Sequence, residues 1–483
     1  MEVDPEEDIP IVERFYQKPL DRPSPEQDEE YTRLMIRSAY QYGIHRPKGY
    51  TVSNHYNPEM EKHHFGPTHP MKPWRLTLAK SLITAFGMPA AMDSYHARAA
   101  THDELSNFHA ADYLEYLATA APQQKPPDGS ESTDNKFNLA NPDCPLFDGL
   151  YNYCSMSAGG SLDAARKICT QASQIACCWG GGLHHAKKAE ASGFCYINDI
   201  VLAILELLRC YKRVLYLDID IHHGDGVEEA FFSTDRVMTI SFHKYHPETF
   251  FPGTGGLSDN GPKSESNPGS HHAINVPLND GITDDQYGEM FKTIVRKAVD
   301  SFQPEAIAMQ CGADSLGGDR LGKFNLQVTG HAGCVEFVKK LRLPLILFGG
   351  GGYTPRNVAR AWAFETSIAI DCHRKIAENP RIPDHAPWRA EFRQESLLPS
   401  LEEILGEPKS NKNTKKRMDE IIMHITEQLR FVNKAPSVQS TAIPPSLLPI
   451  RDEVEERLKE EKEDRDENGR MLAESGAGIE MEF

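Results

Sequence analysis

The chain has 483 residues, of which 39% are hydrophobic and 25% charged, and its formal net charge is -18 at pH 7. This length can bury a large core, whereas the acidic balance argues against wrapping nucleic-acid phosphate, which needs a basic surface. Basic polypeptides are better-matched partners. The ten cysteines contain no C-x-x-C pair, which favours a reducing compartment over a disulfide framework. No apolar run approaches the length of a membrane span.

The N-terminal segment, residues 1–45, is rich in Pro, Asp and Glu and lacks a periodic apolar pattern. A segment of this composition cannot bury a core of its own. We therefore expect an acidic, Pro-rich arm that is extended or partly disordered, followed by one large domain over residues 46–440.

Within this domain, short β-rich apolar runs alternate with amphipathic helical stretches such as Ile200–Leu208 and Gln286–Ala298. The alternation predicts an α/β fold with a single large, open, mostly parallel sheet flanked by helices on both faces. Glycines and polar residues follow four of the apolar runs, which are Ile175–Trp179, Val214–Ile219, Ala306–Gln310 and Leu343–Phe348. Ligands of open α/β sheets bind beyond the carboxyl ends of the strands. We therefore expect these four segments to converge on one site.

The last element predicted in this domain is a helix. Its apolar residues recur at helical spacing after a polar run, and they are Met418, Ile421, Ile422, Ile425 and Leu429. This spacing predicts a terminal helix docked on the main domain. Residues 451–470 are dominated by alternating acidic and basic side chains, and we expect residues 441–483 to form an acidic, disordered tail, in which Arg451–Lys462 could be a single exposed helix.

A candidate metal site lies in the run Leu217–Asp225, where charged and apolar residues alternate. On a strand end, this alternation would turn Asp218, Asp220 and His222 to the same side. Two carboxylates and an imidazole that face one crevice need a counter-charge, which a divalent metal would supply. Asp314, at the end of another predicted strand, is the expected third ligand beside Asp220 and His222. A hydrogen-bonded cluster without metal is the alternative.

Three protein ligands leave one metal position open for water and substrate, which is the catalytic arrangement. Zinc is the first expectation, and the hard Asp-His-Asp ligand set leaves Fe(II) open. His184 and His185 follow three glycines and suit acid/base work near neutral pH, although a structural role is common for such pairs. Asp218 and Asp225 could each orient one of the two imidazoles.

Aromatic residues stand close to these motifs. Gly349–Gly352 lacks the spacing of a phosphate-binding loop and instead presents Tyr353, whose hydroxyl could donate to a developing oxyanion. Phe194, Phe250 and Phe251 could wall a narrow apolar channel. Packing in the core is the alternative for each of these side chains.

Taken together, these motifs resemble those of the class I zinc-dependent histone deacetylases, in particular the fungal-type catalytic subunit of a corepressor complex. The resemblance runs from about Tyr50 to about Val438, and its motifs are His184-His185, Gly193-Phe194-Cys195-Tyr196, Asp218 to Gly226, Cys311 to Ser315, and Gly350 to Tyr353. It implies an arginase/deacetylase-type fold and hydrolysis of Nε-acetyl-lysine in histone tails to lysine and acetate. It also implies work in transcriptional repression in the nucleus, with a cytoplasmic fraction left open. Neither direct nucleic-acid binding nor membrane binding is expected.

The resemblance also implies roles for individual residues. The zinc ligands would be Asp220, His222 and Asp314. The catalytic groups would be His184, His185, Tyr353, Asp218 and Asp225, with His185 as the main proton carrier and Tyr353 as the oxyanion donor. The substrate-binding residues would be Asp143, Gly193, Phe194, Phe251 and Leu321.

Two further kinds of ligand follow from the same resemblance. A first structural potassium ion would bind at Asp218, Asp220, His222, Ser241 and Phe242, and a second at Phe231, Thr234 and Val237. An inositol phosphate, as an assembly cofactor between enzyme and corepressor, would bind at Lys72, Arg320 and Arg356.

Two positions narrow the choice within the superfamily. Gly224 stands where ureohydrolases carry a metal-binding Asp, so a single metal is expected. Leu321 stands where polyamine deacetylases carry a Glu, so a protein acetyl-lysine is expected. Two other functions stay open, namely a corepressor scaffold with a dispensable site and a deacetylase of non-histone proteins or small acetylated amines.

The chain also departs from the family pattern. The family usually has a Tyr-rich stretch where this sequence has Glu61–Phe65, and a Gly where it has Thr68. His272 stands where an aromatic residue is common, and Ala386–Glu402 differs from the usual segment after the core. These departures concern the rim of the site, the second potassium position and complex assembly.

Overall fold

The computed structural model describes residues 25–120, 136–139, 141–262, 264, 266–432 and 459. Contacts group the chain into two units, Met1–Pro436 and Ser437–Phe483, and all elements given below belong to the first. The expected tail at residues 441–483, apart from Lys459, and the first 24 residues of the expected arm lie outside the described residues.

The strands of the described chain form one eight-stranded sheet. They are β1 (Val52–Tyr56), β2 (Asp93–His96), β3 (Ile175–Cys178), β4 (Val214–Asp218), β5 (Val237–Lys244), β6 (Ala273–Leu278), β7 (Ala306–Gln310) and β8 (Leu345–Phe348). Their order in space is β2-β1-β3-β8-β7-β4-β5-β6, and every neighbouring pair is parallel. The expected open, mostly parallel α/β sheet is confirmed.

Helices alternate with these strands along the described chain. They are α1 (Pro25–Gln41), α2 (Trp74–Ala85), α3 (His102–Leu105), α4 (Ala111–Thr119), α5 (Leu150–Cys169), α6 (Asp199–Leu207), α7 (Asp225–Ala230), α8 (Asp284–Phe302), α9 (Val328–Lys339), α10 (Pro355–Ala369), α11 (His373–Glu378), α12 (Leu401–Leu405) and α13 (Lys415–Leu429). Short 3-10 helices occur at Pro58–Lys62, Met88–Ala91, Ala313–Ser315 and Arg389–Glu391. Within the part of the chain that the structure describes, no helix has both the length and the apolar character that crossing a bilayer would need.

Alternate residues of the central strands face two different apolar layers. In β4, Leu215 and Leu217 belong to the larger core, whereas Val214 and Tyr216 belong to a second core on the other face of the sheet. The second core takes side chains from α5 and α6, and the larger one takes them from α8, α9, α10 and α13. Helices therefore cover both faces, which explains why these strands are apolar throughout.

The predicted docked helix is present as α13. Met418, Ile421, Ile425 and Leu429 are buried, and Ile422 is half-buried. The helix packs against α8 and β6, and its first turn is capped by the Thr414 hydroxyl, which accepts from the Arg417 N–H at 3.3 Å.

Helix α1 corrects the expectation of an extended arm over residues 25–45. The helix packs against α2, and Ala39 and Tyr42 at its C-terminal end are buried. Tyr31, Leu34 and Met35 are half-buried and stand at helical spacing with Ala39 and Tyr42, whereas Ile36 and Tyr40 are 65% and 90% exposed. The helix therefore has an apolar stripe, which the acidic and Pro-rich composition of this segment obscured in the sequence.

The four tryptophans form two ring pairs. Trp179, which follows β3, stacks on Trp362 of α10 with ring centroids 5.6 Å apart, and Trp74 meets Trp388 edge to face at 4.8 Å. The Trp362 Nε1–H donates to the carbonyl of Cys311 at 2.9 Å. The first pair therefore joins the ends of β3 and β7 through α10.

Candidate active site

The site lies where β3, β8, β7 and β4 end side by side at the centre of the sheet. The loops after these strands carry His184, Tyr353, Asp314 and His222, respectively. The four segments that end in polar residues are therefore neighbours in space, as the sequence pattern predicts.

Asp220, His222 and Asp314 form a buried cluster that could hold a metal ion. One donor atom of each residue lies within 4.8 Å of the donor atoms of the other two. The Nδ1 of His222 is 3.1 Å from Asp220 Oδ1 and 3.0 Å from Asp314 Oδ2. Strand β4 ends at Asp218, so the bend after the strand, rather than continued strand alternation, brings Asp220 and His222 together.

Backbone and amide donors hold both carboxylates of this cluster in place. Asp220 Oδ2 accepts from the Gln310 side-chain amide at 2.9 Å and from the Gly351 N–H at 2.8 Å. Asp314 Oδ1 accepts from the Ile221 N–H at 2.8 Å. A Cβ on Gly351 would lie 2.1 Å from Asp314 Oδ2, so only glycine allows this close approach. Gln310 was missed in the sequence, although it ends the strand that leads to Asp314.

The donor set fits a single divalent cation. Burial and the neighbouring Asp220 carboxylate raise the pKa of Asp314 to about 7. Keeping Asp314 ionised therefore costs free energy, and a bound cation would remove that cost. Burial lowers the pKa of His222, but the Asp314 and Asp220 carboxylates outweigh it and bring that pKa to about 10. A Cβ on Gly224 would lie 2.2 Å from Asp218 Oδ2, so a second carboxylate ligand at that position has no room.

The two imidazoles of the His184-His185 pair have separate carboxylate partners. His184 Nδ1 lies 2.7 Å from Asp218 Oδ2, and His185 Nδ1 lies 2.7 Å from Asp225 Oδ1. The two rings are 4.0 Å apart between centroids. The Tyr216 hydroxyl, which sequence reasoning missed, also donates to Asp218 Oδ2 at 2.6 Å.

The environments of the two imidazoles push their pKa values apart. For His184, burial lowers the pKa, but the Asp218 and Asp220 carboxylates raise it further, to about 9. For His185, burial and the adjacent His184 lower the pKa to about 3, against the effect of Asp225. These opposite shifts favour the charged form of His184 and the neutral form of His185, a division that suits acid/base chemistry.

A buried layer beneath the pair fixes its backbone. The Asn198 side-chain amide donates to the carbonyls of His184 at 3.3 Å and Ala186 at 3.0 Å. His109 Nε2 in turn accepts from the Asn198 N–H at 3.0 Å. Asp199 accepts from the N–H of Leu183 at 2.8 Å. These residues carry no motif of their own, and the sequence offered no signal for them.

Aromatic rings surround the approach to the pair. The Phe251 ring packs edge to face on His185 at 4.9 Å, and Phe194 packs similarly on Tyr353 at 5.5 Å. A Cβ on Gly193 would lie 2.5 Å from the His185 ring, so this glycine permits the contact. Phe251 is 42% exposed, whereas Tyr353 is buried, which places the aromatic walls between solvent and the metal cluster.

The remaining expected substrate residues lie farther out. Leu321 is half-buried against the core, and Asp143 is exposed. The Asp143 carbonyl lies 3.2 Å from His69 Nε2, and the His69 ring packs on Phe194 at 4.6 Å. His69 therefore connects Asp143 to the aromatic wall.

The residues expected at the potassium positions fall into two groups. Ser241 and Phe242 lie in β5 near the metal cluster, and the Ser241 hydroxyl accepts from the Gly224 N–H at 3.3 Å. Phe231 and Thr234 lie in the turn between α7 and β5, where the Phe231 carbonyl accepts from the Thr234 N–H at 3.2 Å, and Val237 begins β5.

The three basic residues expected to bind an anion belong to segments that are joined by hydrogen bonds. Lys72 precedes Arg75, whose guanidinium donates to the Gly352 carbonyl at 2.8 Å. Arg320 is exposed and Arg356 lies in the first turn of α10. Burial, and secondly the charge of Arg356, lower the pKa of Arg360 to about 10. Arg360 itself is buried and donates to the carbonyls of Phe392 and Ser396.

Glu61, where the chain departs from the family pattern, is the centre of a hydrogen-bond network. It accepts from the Thr77 hydroxyl at 2.6 Å and from the Lys80 ammonium at 2.8 Å, and the Tyr56 hydroxyl also donates to it. The segment that departs from the family pattern is therefore attached to α2 through the hydrogen bonds from Thr77 and Lys80 to Glu61.

Comparison with known proteins supports the interpretation of this cluster as an enzyme site. The family model described as Histone deacetylase domain matches residues 69–369. The chain belongs to the histone deacetylase family. The matched range of this histone deacetylase contains the metal cluster, the His184-His185 pair and Tyr353.

Individual histone deacetylases are similar to this chain over most of its length. Histone deacetylase HDAC1 of Drosophila melanogaster is 47% identical over 415 residues, which cover 86% of this chain and 76% of that protein. Histone deacetylase 9 of Arabidopsis thaliana is 48% identical over 408 residues, 84% of this chain and 91% of that protein. Histone deacetylase 1 of Homo sapiens is 46% identical over 398 residues, which cover 82% of this chain and 79% of that protein. This histone deacetylase is thus similar to its relatives well beyond the site itself.

Proposed function

We propose that this protein hydrolyses Nε-acetyl-lysine in histone tails to lysine and acetate, using one zinc ion held by Asp220, His222 and Asp314. One observation supports the proposal above all others: the buried metal cluster lies beside a pair of imidazoles, each of which is hydrogen-bonded through Nδ1 to its own carboxylate. Fe(II) is the alternative ion, because the ligand set is rich in hard oxygen donors.

A bound divalent ion supplies a Lewis acid for the amide carbonyl and lowers the pKa of water in the site. The neutral His185 accepts the proton of that water at Nε2 while its Nδ1–H remains bonded to Asp225. Burial and the Asp314 and Asp220 carboxylates raise the pKa of Tyr353. The phenol therefore stays protonated and donates to the developing oxyanion. His185 then returns its proton to the leaving lysine amine, so that protons balance over the cycle.

The proposed substrate path runs along Phe194, Phe251 and Gly193. These residues form an apolar channel for the aliphatic part of acetyl-lysine, with Leu321 at its wall and Asp143 binding the peptide backbone at its rim. The net charge of -18 favours encounter with basic histone tails.

The metal requirement tests this function directly. Chelator-treated protein should lose hydrolysis of an acetyl-lysine histone peptide and regain it with zinc, and Asp314→Asn should lower the bound metal per chain. The exposed residue Asp384 offers a matched control, since Asp384→Asn should change neither value. Full activity in metal-free protein would contradict the mechanism.

Two potassium ions belong to the same proposal. One would use Asp218, Asp220, His222, Ser241 and Phe242, and the other Phe231, Thr234 and Val237. The first group offers the hard oxygen donors that such an ion prefers, and the second would offer the oxygen atoms of Phe231, Thr234 and Val237. Replacing potassium by a large organic cation should lower the melting temperature. An unchanged melting temperature would contradict the proposed potassium sites.

We further propose that an inositol phosphate binds at Lys72, Arg320 and Arg356 and helps a corepressor subunit to assemble on the enzyme in the nucleus. The exposed Arg320 and the half-buried Arg356 offer guanidinium groups of the kind that bind phosphate, which supports an anion at this place. The proposed catalytic domain spans residues 46–440, with α1 of the preceding segment packed against it, and the proposed tail spans residues 441–483. Inositol hexakisphosphate should raise the melting temperature of the wild type but not of Arg356→Glu.

A further inference from the structure

A single buried carboxylate connects two loops of the candidate site. We call residues 316–322 the Leu321 loop and residues 349–354 the Tyr353 loop. Asp319 Oδ1 accepts from the N–H groups of Leu321 at 2.9 Å and Gly322 at 3.2 Å. Its Oδ2 accepts from the N–H groups of Tyr353 at 2.7 Å and Thr354 at 3.1 Å.

The hydrogen-bond geometry fits an ionised carboxylate. Burial raises the pKa of Asp319, and the N–H groups of Tyr353, Leu321 and Gly322 oppose that rise. Four N–H donors face the two oxygens of Asp319, so a proton or an amide NH₂ at either oxygen would oppose a donor instead of meeting an acceptor. Asp319 is buried, with 6% of its surface exposed. Removing one pair of acceptor sites would therefore leave backbone N–H groups without partners in the interior.

A second hydrogen bond joins the same two loops, because the Thr354 hydroxyl donates to the Gly318 carbonyl at 3.0 Å. On its far side, the Tyr353 loop is held by the Arg75 guanidinium, which donates to the Gly352 carbonyl at 2.8 Å. The backbone on both sides of Tyr353 is therefore fixed by the side chains of Asp319, Thr354 and Arg75, none of which belongs to the metal cluster.

We propose that Asp319 is a positioning residue that holds the Tyr353 hydroxyl and the Leu321 side chain in one fixed arrangement. The inference rests on the proposed function, in which Tyr353 donates to the oxyanion. Placement of a donor matters because oxyanion stabilisation depends on preorganised geometry. Arg320 stands between Asp319 and Leu321 in the sequence. A ligand bound to Arg320 would therefore act on the same loop that Asp319 joins to the Tyr353 loop.

The test uses Asp319→Asn, which keeps the shape of the side chain but replaces one acceptor oxygen with a donor. We expect kcat on an acetyl-lysine histone peptide to fall at least about 10-fold, and by less than the roughly 10²- to 10³-fold expected for Tyr353→Phe. KM and bound metal should stay close to those of the wild type. In the double variant with Tyr353→Phe, Asp319→Asn should cause no additional loss, because both changes act through the same hydroxyl.

Hydrogen exchange provides a readout that does not depend on activity. Amides of both loops should exchange faster in Asp319→Asn than in the wild type. The matched control is Asp284→Asn, since Asp284 also accepts a backbone N–H, that of Gln327 at 2.9 Å, but lies outside the site. That control should leave exchange in both loops and kcat unchanged. If Asp319→Asn does not fold, Thr354→Val should show the same changes to a smaller extent.

The outcomes separate the two proposals. An inactive wild-type protein would overturn the proposed function, and exchange would still show whether Asp319 holds both loops. Unchanged exchange in Asp319→Asn would overturn the positioning role, as would a further loss of kcat in the double variant equal to the loss in the single one.

Discussion

His185 donates its Nδ1 proton to the carboxylate of Asp225 across 2.7 Å. This hydrogen bond fixes the tautomer in which Nε2 is the free acceptor. Asp225 is itself held by the Lys187 ammonium, 2.7 Å from its other oxygen. The base of the proposed reaction is therefore oriented by an ion pair that lies behind it.

Removing the base should abolish most of the activity. We expect His185→Ala to lower kcat about 10²- to 10⁴-fold and Asp225→Asn about 10- to 100-fold, because the second change disturbs only the orientation of the imidazole. Steady-state kinetics on an acetyl-lysine peptide measure both. The exposed His45 serves as the control, and His45→Ala should keep wild-type kinetics. A His185→Ala variant with full activity would rule out this base.

Substrate choice should depend on Leu321. A carboxylate at this half-buried position would attract a second positive charge on the substrate. We expect Leu321→Glu to lower kcat/KM for acetyl-lysine peptides and to raise it for acetylated polyamines, while Leu321→Met keeps the wild-type preference. Parallel assays with both substrates give the ratio, and an unchanged ratio in Leu321→Glu would contradict the assignment of this side chain to the tunnel.

Stability should fall in mild acid because His109 is buried in its neutral form. Burial lowers the pKa of His109 to about 4, and its Nε2 accepts from the Asn198 N–H. The folded pKa lies below the unfolded value of 6.5, so stability is complete above pH 6.5 and is lost as the pH falls towards 4. The shift corresponds to about 3 kcal/mol.

Urea unfolding at a series of pH values measures this effect. We expect His109→Gln to be less stable than the wild type at pH 7.5 but to lose less stability between pH 6.5 and 4. The exposed His45 again provides the control, and His45→Gln should keep the full pH dependence. Parallel curves for His109→Gln and the wild type would show that other groups cause the acid sensitivity.

The docked helix α13 should contribute to the stability of the domain. Ile425 is 1% exposed, whereas Met423 on the opposite face is 62% exposed. Ile425→Ala should lower the free energy of unfolding by about 2–5 kcal/mol through the cavity it leaves. Met423→Ala should change it by less than about 0.5 kcal/mol. Denaturant titration compares the two, and equal effects would mean that α13 is not docked through this face.

The sequence predicted those parts of the molecule that follow from local patterns. Apolar runs ending in polar residues marked four adjacent strands, and the metal cluster was found because Asp220 and His222 stand two residues apart after one of them. Asp314 could be added because it follows another such run. Helix α1 was missed, because the acidic and Pro-rich composition of residues 1–45 outweighed the helical spacing of Tyr31, Leu34 and Met35.

The supporting residues could not be predicted in the same way. Asp319 and Tyr353 are 34 residues apart, and His109 and Asn198 are 89 apart. Each of these contacts depends on how two loops meet in space, and a single Asp, His or Asn in a sequence is compatible with many surroundings. Gln310 is the exception, since its place at a strand end could have been noticed.

The stacked rings of Trp179 and Trp362 have a spectroscopic consequence. Two indoles with centroids 5.6 Å apart and planes 12° from parallel are close enough for their excited states to couple, so the pair should produce a distinct circular-dichroism band. Because Trp179 leads into the loop of His184 and Trp362 donates to the Cys311 carbonyl, the protein carries an optical probe between two of its own active-site loops, one that needs no label.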